Sequence, residues 1–409
     1  MKKLVLFLLV ALLAFAPAMA ANAVDLTFES WRPDDSENWN QILEAYKAVA
    51  PDVNIVHEGI TSKEYNATLR TQLETGKGPD LIMARSYATG QELFDAGYFG
   101  DCSDVAGIQD SFAASSLAPW QTVDGKMFAV PTAAVQQVVF FNKTFFQENG
   151  YEVPATWEDF IALCQAIKDA NTDPDFSPLA NGVMDEWDIL ECAFLGMLPN
   201  YVGGAEERVK YESGEKKLND EAFIAAYTDF AKIAPFLPAS YTAVGNSDSQ
   251  QLFGLGRAPM WIDGSWSAGS IAVLEPDFEW GVFAIPAPAG ATAGLCFHPD
   301  FALTYNTASE NIDAAKDFLA WTISPEGAPI VANLLPGGFY PMVDMQITLE
   351  DEHANESLAL NQGKVLDARF IWAQMLDLYD PMNKGLIALL SGDKAPQAVA
   401  DEMAELYGK

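Results

Sequence analysis

The stretch Phe253–Ser270, FGLGRAPMWIDGSWSAGS, sets Trp261 and Trp266 among glycines and serines, where a chain usually bends and faces water. An indole offers a large flat apolar face at low entropic cost, so an exposed one suits contact with a ligand. Trp261 lies in APMWID, which reads as a strand, and for it core packing and ligand contact stand level. Asp263 closes that strand and could accept from a ligand or cap a helix beginning at Ser265. Bond-making chemistry has less support. The sequence holds no GxSxG, HExxH, P-loop or GxGxxG pattern, and His57, His298 and His353 are too scattered to nominate a triad or a zinc site. With 57 acidic residues, carboxylate pairs at hydrolase spacing arise by chance and carry no information. No cofactor and no metal are expected.

Positioning falls to alternating elements. VDLTFESW, Val24–Trp31, reads as a first strand; a helix with Trp39, Ile42, Leu43, Tyr46 and Val49 on one face stops at Pro51. VNIVHEG, Val53–Gly59, reads as a second strand, KEYNATLRTQLETGKG as a helix ended by Gly76, and PDLIMA, Pro79–Ala84, as a third strand. Such alternation implies parallel pairing and an α/β sandwich. Ligands collect at the carboxyl ends of strands in such sheets, here Ser30, Trp31 and Arg32, and Arg85, Ser86 and Tyr87. Arg85 brings a rigid fork of donors, though an ion pair with a neighbouring acid is its ordinary use; Glu29 or Asp34 could accept hydroxyls. From Trp157 to about Tyr241 helical patterns dominate, with Thr156 as N-cap; Thr292–Ser309 returns to strand-like text before another helix. The order suggests two α/β lobes with the chain passing between them more than once. Gly337 and Gly338 read as a turn that bares Phe339 and Tyr340. Helical spacing in ARFIWAQML points Trp372 to the core.

The first twenty residues, MKKLVLFLLVALLAFAPAMA, carry two lysines, an apolar run from Leu4 to Phe15, and a small-residue pattern at Ala18–Ala20. This predicts an export signal over residues 1–20, cut near Ala20, and a soluble protein of the periplasm; the run is shorter than the ~20 residues of a membrane span. Removing Lys2 and Lys3 takes 23 basic residues to 21 against 57 acidic ones, so the formal charge moves from −34 to −36. Nucleic acid is excluded as a partner, since a phosphate backbone needs a basic footprint. High net charge favours a soluble monomer. Cys102, Cys164, Cys192 and Cys296 stand far apart without CxxC spacing; export permits disulfides, with three complete pairings open, and buried thiols are an equal reading.

Four phrases in order, LETGKGPDLIMA, GKMFAVPTAAVQQVVFFNKTFFQENGYEVPATWEDF, LFGLGRAPMWIDGSW and NIDAAKDFLAWTISPEG, resemble the extracellular solute-binding proteins of family 1, the carbohydrate-binding components of ABC importers that include maltose-type binding proteins. The resemblance implies an α/β, two-lobed periplasmic binding protein fold of type II-like form, with mixed sheets flanked by helices and a ligand cleft between lobes. It implies crossings near Pro131–Val138, Phe297–Phe301 and within Pro325–Tyr340, hence an N-terminal lobe of 21–131 plus 299–335 and a C-terminal lobe of 132–298 plus 336–409. It also implies capture of a sugar without catalysis and delivery to ABC permease subunits. By this resemblance Trp266 stacks on the ligand, with Gly264 leaving room for close approach; Arg85 and Tyr87 contribute from the first lobe, and Asp185 and Trp187 from the second. Trp31 and Arg32 share the strand-end claim, Gln136 and Gln137 sit at the first crossing, and Phe339 and Tyr340 follow the glycine pair. Past Gly338 the text from Asp344 to Trp372 matches no pattern. Other readings are a charged solute such as a phosphodiester or a polyamine, of which Arg32 and Arg85 keep the anionic kind open, and an exported carbohydrate-active enzyme.

Overall fold

A computed structural model describes residues 23–409, and the expected export signal lies outside them. The chain opens with β1 (Val24–Ser30), β2 (Val53–Gly59) and β3 (Leu81–Arg85), joined by helices Ser36–Val49 and Ser62–Glu74. β1 pairs in parallel with both β2 and β3, as follows when a helix carries the chain back across the sheet. Each helix turns one apolar stripe inward: Trp39, Ile42, Leu43 and Tyr46 from the first, Tyr65, Leu69 and Leu73 from the second. The second helix ends where Gly76 takes a left-handed φ of 68°.

β4 (Val130–Asn142), β5 (Met260–Gly264), β6 (Trp280–Ala284) and β7 (Gly294–Tyr305) follow, with the short β8 (Tyr340–Pro341) and β9 (Val365–Asp367). The main order is β2-β1-β3-β7-β4-β5. All 13 residues of β4 are buried, which fits its run of Val, Ala and Phe. Its first half, Val130–Gln136, pairs antiparallel with β7; its second half pairs with β5 and β6. β4 therefore leaves one sheet and enters another between Gln136 and Gln137. β7 makes a similar passage, pairing with β9 at Gly294–Cys296 and with β3 at Phe301–Tyr305. The β4–β7 register shifts around Ala133, two residues after Pro131, which has no N–H for the ladder.

Two hydrophobic cores flank this passage. One joins Leu26, Phe28, Trp39, Leu81 and Phe128 to Phe301, Phe318, Leu335 and Phe339. The other joins Val139, Phe160, Phe194, Tyr227 and Ile262 to Phe370, Met382 and Val399. The molecule is a two-lobed mixed α/β protein with helices over both sheets. Thr156 caps the helix Trp157–Ala170, accepting from the Asp159 N–H as its position predicts. Of the two readings of Trp261, packing holds: it is fully buried against Phe140, with ring centroids 5.7 Å apart. ARFIWAQML forms turns rather than a helix, yet Trp372 is buried and belongs to the second core. The four cysteines are free, buried thiols. No described helix is long and apolar enough to cross a membrane.

Candidate functional site

The lobes meet where β4 and β7 pass between them. Around this junction stand the carboxyl end of β3, the loop after β5, the segment leading into the π-helical turn Asp188–Phe194, and the segment after β9. Trp187 comes immediately before that turn, and Trp266 immediately before the helix Ser267–Leu274. Both indoles are half-buried, and they meet edge to face with centroids 5.9 Å apart. The Arg369 guanidinium lies 5.1 Å from the Trp266 ring and 5.6 Å from that of Trp372. Two indoles thus flank one cation and a third, Trp187, meets Trp266 edge to face, an arrangement of flat apolar faces beside a planar donor fork.

Charge at this junction is matched. Arg369 Nη1 is 2.7 Å from Glu191 Oε2 and its Nη2 is 3.6 Å from Asp300 Oδ1. Burial pulls the Arg369 pKa down, but Glu191 and Asp300 outweigh it and leave the guanidinium above its ordinary value. The Tyr379 hydroxyl donates to the other oxygen of Glu191 at 2.7 Å. Arg85, from the end of β3, feels the same two carboxylates; burial nevertheless lowers its pKa. It lies 3.9 Å over the Trp31 ring, and one Nη donates to Ser62 Oγ at 3.0 Å. Two guanidiniums and two carboxylates leave the junction close to neutral. Three donors there, Arg85 Nε, Arg369 Nε and Trp372 Nε1, are buried without a partner.

His298 lies between these groups. Its Nδ1 accepts from the Arg369 N–H at 3.3 Å, which places the ring proton on Nε2. Burial, then Arg369, Arg85 and Arg208, hold its pKa well below the ordinary value, so the ring is neutral. Tyr87 faces it with centroids 6.3 Å apart. Tyr87 belongs to the first lobe but packs on the core of the second, and its φ of 57° lies in the left-handed region. That conformation costs a bulky residue about 1–3 kcal/mol and collects at functional sites.

The other expected residues have surroundings of their own. Arg32 forms a two-pronged ion pair with Asp35 and covers the Phe339 ring at 4.7 Å. Trp31 is buried beneath Arg85 against Tyr65 and Phe301. Asp185 accepts from the Asn246 N–H at 2.8 Å, at the start of the helix Asn246–Gly254. Gln136 is buried and satisfied: it accepts from Ser357 Oγ at 2.6 Å and donates to Asn361 at 2.7 Å. Gln137 is buried with neither end of its amide paired. Phe339 and Tyr340 are not bared by the glycine pair. Gly338, at φ 88°, presses against the Ser265 carbonyl and turns both rings inward, where 3% and 1% of their surfaces are exposed. The room at Gly264 is taken by Trp266 itself, since a Cβ there would fall 2.0 Å from the indole. Asp263 is fully buried and accepts from Ser267 Oγ at 2.6 Å without capping the helix.

Arg369, Glu191, Asp300 and His298 were not legible as a site. Asp300 and His298 stand in HPDF at the β7 passage, where the pattern marked only a crossing; Arg369 lies in the tail that matches no phrase.

Residues 31–329 match the family described as bacterial extracellular solute-binding protein. The chain belongs to this family. Among relatives, the diacetylchitobiose binding protein DasA of Streptomyces coelicolor is 26% identical over 83% of this chain and 79% of its own. The maltotriose-binding protein of Pyrococcus abyssi is 24% identical over 84% and 72%. The solute receptor AcbH superposes with a TM-score of 0.81 at 19% identity, covering 94% of this chain and 99% of its own. The raffinose-bound protein RafE superposes with a TM-score of 0.75 at 18% identity, covering 94% and 98%. Likeness at that identity shows the fold.

Proposed function

We propose that this extracellular solute-binding protein captures a neutral saccharide between its lobes and presents it to the permease of an ABC importer from the periplasm, after removal of residues 1–20. The observation that carries this reading is the placement of Trp266 and Trp372 against Arg369, with Trp187 edge to face on Trp266. Pyranose rings present C–H faces to indoles and hydroxyls to charged groups at their rim, so this pairing of side chains suits them. Glu191 and Asp300 can accept from hydroxyls, while the Nε atoms of Arg85 and Arg369 and the Trp372 N–H can donate once the lobes part. The names of sugar-binding relatives point the same way.

The charge balance weighs against an anionic solute. Arg369 is paired with Glu191 and Asp300, and Arg85 lies in the field of the same acids. Capture needs no bond made or broken. A ligand that holds both lobes shifts the population toward the closed form by its differential affinity alone. The test is a thermal-shift and calorimetric titration of the mature chain against mono- and oligosaccharides, with organophosphates alongside. A saccharide at 100 times its dissociation constant is expected to add about 2.7 kcal/mol of stability. Binding of a phosphodiester but of no sugar would replace this reading, and release of product from an oligosaccharide would point to an enzyme.

A further inference from the structure

Behind the indole pair lies a second cluster that sugar capture does not use. Asp188, Cys192 and Asp263 place one donor atom each within 4.8 Å of one another, and all three residues are fully buried. Asp188 and Cys192 come from the π-helical turn that follows Trp187, and Asp263 from the end of β5, three residues before Trp266. Neutral groups alone support the acids. Asn181 donates to Asp188 Oδ1 at 3.2 Å and Ser249 to its Oδ2 at 3.5 Å. Ser267 and Asn246 donate to Asp263 Oδ2 at 2.6 and 3.3 Å. Among the described residues no Lys, Arg or His forms an ion pair with either acid. Asp263 Oδ1 is buried on the same side chain with no oxygen or nitrogen partner, and the Cys192 thiol lies beside the carboxylate.

Two carboxyls buried together require either a shared proton or a cation, because uncompensated charge away from water is strongly unfavourable. The thiol distinguishes these cases. A sulfur beside two carboxylate oxygens is a donor set for a borderline-soft divalent ion, whereas Ca²⁺ and Mg²⁺ take oxygen alone. Zn–O and Zn–S bonds of about 2.0–2.3 Å need only modest inward movement of the three side chains.

We propose that Asp188, Cys192 and Asp263 form a structural site for a zinc-like divalent cation, which ties the turn carrying Trp187 to the strand end carrying Trp266. The site is fully enclosed, so the ion enters as the second lobe folds and exchanges slowly afterwards. The mature chain is unfolded in guanidinium with reductant and chelator, refolded with or without Zn²⁺, dialysed, and analysed for metal. The expected result is one retained zinc per chain, with a melting midpoint at least about 5 °C above that of the metal-free refolded protein. Asp263→Asn and Cys192→Ser are expected to retain less than a tenth as much. Should those variants fail to fold, refolding the unaltered chain with Co²⁺ gives an independent reading through a sulfur-to-cobalt charge-transfer band. No retained zinc and no cobalt band would overturn the proposal. A raised midpoint in Asp263→Asn would overturn it in favour of two acids sharing a proton. Sugar titration is a separate measurement, so failure here leaves the saccharide reading standing.

Discussion

Trp261 in β5 and Trp266 in the loop after it differ in burial. Trp261 is fully buried against Phe140 and Phe253, so Trp261→Ala should cost about 3–5 kcal/mol of stability, read by denaturant unfolding, as expected for an emptied aromatic site. Trp266→Ala should instead lower saccharide affinity roughly 30-fold while the circular dichroism spectrum stays unchanged; this is the size of a truncated aromatic anchor. Unchanged affinity would remove Trp266 from the site. Arg369→Ala strands Glu191 and Asp300 without their partner and should destabilise by about 3–5 kcal/mol. Buried histidines contribute to the acid limit. Burial lowers the His57 pKa to about 4 and holds His298 well below its ordinary value. Below pH 6.5 the unfolded chain takes up protons that these rings refuse, so their contribution is intact above 6.5 and is lost as pH falls toward 4. Melting midpoints of wild type and His57→Gln should therefore converge between pH 6.5 and 4.

Among elements, the first three strands and two helices were legible because their signals are local. Strand alternation from Val24 to Ser30 and the helical stripe of Trp39, Ile42, Leu43 and Tyr46 need no distant partner. Thr156 also declared itself, and Thr156→Ala should cost about 1 kcal/mol at the helix Trp157–Ala170. A shift in the urea midpoint with unchanged slope would measure it. Local signals failed where partners are distant. The glycine pair before Phe339 looked like an exposed turn, but Gly338 is pressed onto Ser265, 73 residues earlier by sequence. Gln136 looked free for the cleft, yet Ser357 and Asn361 claim it from more than 220 positions away. Arg369 had no periodicity or motif to mark it, since it sits in turns and owes its place to ion pairs with Glu191 and Asp300.

At the scale of the whole molecule, each lobe has its own core, joined by β4 and β7. Saccharide binding should contract the protein, and small-angle scattering should record a smaller radius of gyration at saturating ligand; an unchanged radius would argue against closure. The two connecting strands are hydrogen-bonded to each other from Val130 to Gln136, not slack tethers. A paired ribbon resists stretching and sideways slip far more than it resists twisting, so it behaves as a door's two pins rather than a length of chain. If the lobes open, such a ribbon would let the walls of the cleft swing apart while keeping them in alignment. Little freedom between the lobes would then remain for an arriving guest to freeze out, leaving more of its contact energy to keep the door shut.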